Sequence, residues 1–314
     1  MHNIRIIQYG VEYKEKWDAF VNSARNSHFF FLRDYMEYHA DRFVDASLIA
    51  INEKNLLVAL FPSSRHDKEI ITHGGLSFGG WLINEKMSTE DMLEIFNLMK
   101  QFYKEQGINK IKYKCIPYIY DKYPCEEDKY ALFVNDAKLY RRDVSTAIYM
   151  PTRYKYQKGR KWMVSKGRKN HIEVAESRDY AAYMELEKRV LEKYHGTKPV
   201  HTAEEMKMLA TRFPENIHLY TGALDGELLA GTIVFVNGNV VHTQYMANSD
   251  KGRELGALDR VIDYLITDVY ADCIYFDFGI SNEEEGRYLN RGLIGQKEGF
   301  GARAVVHDFY ELDI

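Results

Sequence analysis

Two stretches of the chain, offset by 163 to 172 positions, spell out the same succession of elements. In the first, residues 46–51 read as a strand, Asn-Glu-Lys as a turn, 56–62 as the hairpin partner and 69–76 as a third strand. Ser88 then caps a helix reaching Glu105, with Asp91 three residues on and Met92, Ile95, Phe96 and Met99 on one face. A strand over 110–116 ends the stretch. The second stretch gives strands over 217–223, 228–236 and 240–247, a glycine-containing loop, a helix over 257–270 and a strand over 273–279. Helices precede each stretch, 13–23 and 35–43 in the first, 180–194 and 203–211 in the second. Helix, helix, antiparallel strands, helix, strand is an α+β order with a mixed sheet, used twice. No Ser/Gly/Pro linker marks a boundary, so the repetition alone places it near Pro151, giving domains 1–150 and 151–314.

Composition narrows the class. Apolar residues at 46% and charged residues at 28% exclude collagen-like, coiled-coil and wholly disordered chains. The 42 basic and 46 acidic side chains leave a net charge of −4, so no global field draws the protein to nucleic acid or anionic lipid, any such patch must be local, and no DNA partner is expected. Cys115, Cys125 and Cys273 form no CxxC pair and no zinc spacing, so no metal is expected and a reducing cytoplasm fits. No run of 18 apolar residues exists, so no membrane span is expected. The many aromatics are scattered, as in ordinary packing.

Four places could carry chemistry. The loop 248–257 joins a strand to a helix start; its glycines and exposed N–H groups, with Lys251 and Arg253, suit a phosphate or diphosphate. Gly252, Gly256 and Ala257 belong to the same cradle. The segment 153–169 holds eight Lys and Arg residues and no acid, so an anion could dock there, with Arg160, Lys161 and Arg168 as contacts. At a strand end, Asp277 is a carboxylate placed for proton removal or substrate positioning, and His242 and Tyr245 lie on the strand before the anion loop. In the first half, His73 to Gly80 is glycine-rich where the second half has its site, and Gly79 would let backbone approach a substrate closely.

The run from Arg253-x-x-Gly256 through helix and strand to Gly295-Gln-Lys-Glu-Gly-Phe300 resembles the core of the GNAT acyltransferase superfamily. Leu258 occupies the final small-residue position of that motif, and Gly295 stands where the family commonly has tyrosine. Asp277-Phe-Gly279, Gly292-Leu293 and Lys297-Glu-Gly-Phe-Gly301 are similar to the tail of the FemAB-like (FemX-type) transferases, whose fold is doubled. The basic helix from Arg160 to Asn170, followed by a strand and a long helix, resembles the opening of their second domain.

The resemblance implies two tandem GNAT-like domains and direct attack of an amine on a thioester or ester carbonyl, with no covalent enzyme intermediate. It puts Lys297 near the reacting carbonyl, with Asp277 and Tyr245 as further catalytic candidates. The first domain is expected to shape the acceptor cleft and the second to hold the donor. Acyl-CoA is the expected donor, because 253–257 keeps part of a diphosphate-binding pattern; the acceptor is a small or nucleotide-linked amine of a cell-envelope precursor. Aminoacyl-tRNA with a peptidoglycan precursor is the alternative. A non-catalytic module binding a nucleotide-linked glycan is the third, motivated by Gly295.

Overall fold

The computed structural model describes residues 4–314. The chain divides into two units, one running to Asp143 and including Val306–Ile314, the other Val144–Val305.

In the first unit, Arg5–Gln8, Leu48–Ile51, Leu57–Phe61 and Leu82–Ile83 form an antiparallel sheet in that order. A second set of strands pairs Glu69–Ile71 parallel with Lys110–Lys114, with Ser64–His66 antiparallel to the former and residues 309–313 antiparallel to the latter. Helix Thr89–Glu105 starts where Ser88 Oγ accepts the Asp91 N–H, and its apolar face joins Leu48, Phe61, Trp81 and Tyr113 in one core. Two expected elements are shorter. The strand from 69 stops at Ile71, because His73 turns to positive φ. The helix expected over 35–43 is a turn, Arg33–Met36, followed by a 3₁₀ turn. There Tyr35 stacks on Phe30 and His39 packs against Phe43 and His73, which replaces helical repetition.

In the second unit, β1 (Glu173–Ser177), β2 (Ile217–Leu224), β3 (Glu227–Asn237), β4 (Val240–Asn248) and β5 (Tyr275–Ile280) follow one another across a sheet. Residues 145–149 pair with β5 on its other side. All neighbours are antiparallel except β4 and β5, which are parallel. The helices are α1 (Lys158–Lys169), α2 (Tyr180–His195), α3 (Ala203–Arg212), α4 (Asp250–Leu255), α5 (Ala257–Tyr264) and α6 (Arg291–Gly299). Ala230, Val234, Val241, Val261, Ile262, Phe276 and Phe300 are buried together in its core.

Two features of this sheet position the site. First, β4 and β5 pair only from 240–242 to 275–277 and then part, although β4 runs on to Asn248 and β5 to Ile280. Second, β4 bulges at Gln244, since Val234 faces Thr243 while Ile233 faces Tyr245. His242 opposes Phe235 and Tyr245 opposes Ile233, two positions that share a sheet face, so the bulge puts His242 and Tyr245 on one face despite their odd spacing.

The stretch 248–257 is helical instead of an open loop. Ser249 Oγ caps the Gly252 N–H, the Arg253 N–H reaches Ser249 O, and Gly256 at φ 80° ends α4 and starts α5.

Candidate active site

A polar cluster forms where β4 and β5 part. Asp277 is fully buried; its Oδ2 meets His242 Nδ1 at 2.7 Å, and its Oδ1 accepts the Ser145 hydroxyl at 2.6 Å and the Gly279 N–H at 3.1 Å. An ionised carboxylate only accepts, so Nδ1 carries the imidazole proton and Nε2 presents a lone pair. The His242 side chain keeps 19% of its surface exposed. Gly279 sits at φ 73°, and a Cβ there would lie 3.1 Å from His242 Cε1, so the turn after Asp277 needs glycine twice over.

Lys297 enters from α6. Its buried ammonium donates to Gly279 O at 2.9 Å and Ile280 O at 2.7 Å, so it ties down the turn that carries Asp277. Burial pushes the Lys297 pKa down to about 8, against the pull of the Asp277 charge. Three expected residues, His242, Asp277 and Lys297, are thus brought together. Ser145 joins them without a sequence signal, because only the register of 145–149 against β5 delivers it.

Tyr245 shares the face of His242, but its hydroxyl is engaged by His201, at 2.7 Å from Nδ1 and 3.3 Å from the backbone N–H. Burial pushes its pKa up to about 12.

A cavity of about 700 Å³ opens in the same unit. Gln157, Arg160 and Met163 line it from the start of α1, Val190 and Leu191 from α2, and Met246 and Asn248 from the tip of β4. Leu258 and Asp259 of α5 and the stretch from Asn290 to Gln296 supply the rest, Gln296 being the chain neighbour of Lys297. Gly295 lies on this wall with open space where a side chain would grow.

Of the five residues expected to cradle a diphosphate, Arg253 lines the cavity. Its guanidinium bonds Asn248 O at 3.3 Å and stacks 4.1 Å from the Tyr194 ring centre. Lys251 pairs with Glu227, Gly252 is buried 2.7 Å short of Leu229 O for any added Cβ, and Ala257 is fully buried. The α4–α5 turn is covered by α1: a Cβ on Gly256 would fall 2.4 Å from Met163 O, and one on Gly167 2.6 Å from Gly256 O. Arg160 and Arg168 pair with the buried carboxylates of Asp259 and Asp263, at 2.5 and 2.7 Å. Lys161 is exposed. Gly79, in the first unit, lies so close to Thr72 O that a Cβ would come within 2.7 Å.

Among the described residues, no group of three His, Cys, Asp or Glu side chains could hold a metal ion, and no helix is long and apolar enough to cross a membrane.

Residues 151–288 match the family model of the GNAT acetyltransferase domain. No curated protein matches the sequence. Among solved structures, FemX superposes with a TM-score of 0.68 at 11% identity, over 97% of this chain and 96% of that one. L-PGS from Bacillus licheniformis gives 0.61 at 13% identity, over 95% and 90%. A tandem GNAT protein from the clavulanic acid biosynthesis pathway, solved without AcCoA, gives 0.52 at 10% identity, over 99% and 98%. The chain therefore has the tandem GNAT fold that its sequence implied, and its second half carries a GNAT acyltransferase domain, which makes it a transferase.

Proposed function

We propose that this protein transfers an aminoacyl group from the ester of an aminoacyl-tRNA to the amino group of a cell-envelope precursor. The observation that carries the reading is the His242–Asp277 pair, clamped by Lys297, at the point where β4 and β5 part. Past His242, the edge of β4 that faces β5 has no ladder partner, so an ester carbonyl can enter there and meet backbone N–H groups as its oxygen becomes negative. His242 Nε2 removes a proton from the acceptor ammonium, the neutral nitrogen attacks the carbonyl carbon, and a tetrahedral oxyanion forms. Its collapse expels the ribose oxygen, which takes the proton back from the imidazolium, while the surplus proton of the newly bonded nitrogen passes to solvent and leaves a neutral amide. Buried Asp277 stabilises that imidazolium without exchanging a proton.

The choice of carrier is supported by α1. A CoA diphosphate needs open N–H groups at the start of a helix, but here Gly256 faces the backbone of Met163 and Gly167, and Asp259 puts a carboxylate in the first turn of α5. An ester at the end of an RNA needs no such cradle. The FemX and L-PGS likenesses fit the same class of reaction, and a tRNA donor would place the reaction in the cytoplasm. The acyl-CoA reading keeps one observation in its favour, the Arg253 guanidinium on the cavity wall beneath a GNAT domain match.

One experiment separates them. The protein is incubated with radiolabelled aminoacyl-tRNA, and separately with acetyl-CoA, each with an amine acceptor from a cell-envelope precursor extract. Amine-dependent deacylation of the tRNA, lost in His242→Ala, is the expected result. Release of CoA alone selects the second reading, and release from neither donor leaves a binding module.

A further inference from the structure

We infer that the outward face of α1 seats the RNA portion of the donor, a polyanionic strand lying along the helix with one base stacked on Trp162. This assignment rests on the aminoacyl-tRNA reading above and names the surface that would make it work.

The helix is two-sided. Inward, Val164 and Gly167 are buried and Arg160 pairs with buried Asp259, while Arg168 at the flank pairs with buried Asp263. Outward, Lys158, Lys161 and Lys169 are exposed, as is Lys155 just before the helix, and none has an ion-pair partner among the described residues. Positions 158, 161, 162, 165 and 169 recur at three- and four-residue steps, so these lysines flank Trp162 on one face. Between 153 and 169 no acidic residue dilutes the charge, although the chain as a whole carries −4. Trp162 is 60% exposed, whereas Trp17 and Trp81 are fully packed. Lys166 lies 5.0 Å from its ring centre and holds it as a platform. An exposed indole among unpaired lysines binds a nucleic acid strand by phosphate contacts and base stacking, without needing a defined sequence.

Geometry links this face to the cavity of the same unit. Lys158 to Lys169 spans about 16 Å of helix. Gln157, Arg160 and Met163 at the start of the same helix line the cavity. A strand following the lysines toward the N-terminal end of α1 therefore brings its terminal ester to the cavity mouth. A bilayer fits less well, because a surface-lying helix sinks its apolar side into lipid, and the apolar side of α1 is already buried against α5.

The test uses the full chain, unacylated bulk tRNA and the combined variant Lys158→Gln, Lys161→Gln, Lys169→Gln. Affinity is read by filter binding from 50 to 300 mM salt, with vesicles containing phosphatidylglycerol as a parallel probe. The variant should bind tRNA at least about tenfold more weakly at 100 mM salt, and its log–log salt slope should flatten by about 2 to 3, near one per lost phosphate contact. Its melting temperature should not change. Saturating tRNA should quench the exposed indole in the wild type, and Trp162→Phe should abolish that quenching. Turnover of a 3′-aminoacyl-adenosine should persist in the triple variant, because the cavity is untouched. Wild-type tRNA binding with an unchanged slope in the variant overturns the surface assignment but leaves the aminoacyl reading standing. Loss of vesicle binding with tRNA binding intact overturns it in favour of a membrane. Absence of tRNA binding by the wild type overturns both, and RNA binding through these lysines without aminoacyl transfer overturns the reaction alone.

Discussion

At the residue scale, the reaction depends on which imidazole nitrogen holds the proton. Asp277→Asn keeps the size of the side chain, but an amide can donate to Nδ1 and so move the proton to Nε2, leaving no base toward the substrate. We expect kcat to fall about 10²- to 10⁴-fold, the usual worth of a positioned base, with an unchanged circular dichroism spectrum; undiminished single-turnover rates would remove the pair from the mechanism. A second buried carboxylate tests stability instead. Glu187 accepts the Tyr183 hydroxyl at 3.2 Å in the core, and burial pushes its pKa up to about 7, above the ordinary value of 4.5. A raised carboxyl pKa gives stability that is whole below about 4.5 and lost as pH rises through 7. Glu187→Gln should therefore match the wild type in thermal melts at pH 5 and exceed it at pH 8, by roughly 1 to 3 kcal/mol from a shift of this size. A gain of equal size at both pH values would show that charge burial is not the cause. The sequence put Asp277 forward at a strand end, His242 on the strand before the anion loop and Lys297 in a recognisable tail. It gave no hint of Ser145 or of the His201–Tyr245 bond, since each partner comes from a distant segment through non-local pairing or a loop.

At the element scale, periodicity revealed the strands of both halves, and helix Thr89–Glu105 starts at its expected cap. It failed at 248–257, where two glycines suggested an open loop. Ser249 is a good N-cap, Gly252 lies inside a helix where backbone crowds it, and Gly256 is a left-handed C-cap. Glycine serves several backbone needs, and only the packed neighbour, α1, tells them apart. That distinction predicts opposite outcomes for two Gly→Ala changes in helices. Gly167→Ala drives a Cβ into Gly256 O and Arg260, across the closest approach of α1 to α5, and should destabilise by roughly 1 to 3 kcal/mol. Gly295→Ala in α6 meets nothing and should stabilise by about 0.5 to 1 kcal/mol, the ordinary helical advantage of alanine. Urea melts of the two variants measure the difference, and a shift in the same direction for both would refute the packing argument.

At the scale of the whole molecule, the chain is doubled in its elements but not cut cleanly in sequence: the residues after Val305 belong with those before Val144. Repetition of local patterns cannot reveal this, because a returning segment shows its partner only through register. Residues 309–313 pair in full with Lys110–Lys114, and Arg142 holds Asp308 through two hydrogen bonds at 2.6 and 2.9 Å. Phe309 and Leu312 are 6% and 1% exposed. Two such side chains are worth about 3 to 6 kcal/mol of burial, against a net stability of about 5 to 15 kcal/mol for a typical domain. Ending the chain at Val305 should therefore unfold the first unit or leave it marginal, while the second unit keeps every strand from β1 to β5. Hydrogen exchange followed by mass spectrometry should show protection lost over Lys110–Lys114 and Thr89–Glu105 and retained over β3 and β4. Equal protection in the truncated and full chains would mean that the first unit is stable without its returning strand, and that the last residues could be removed without cost to the fold.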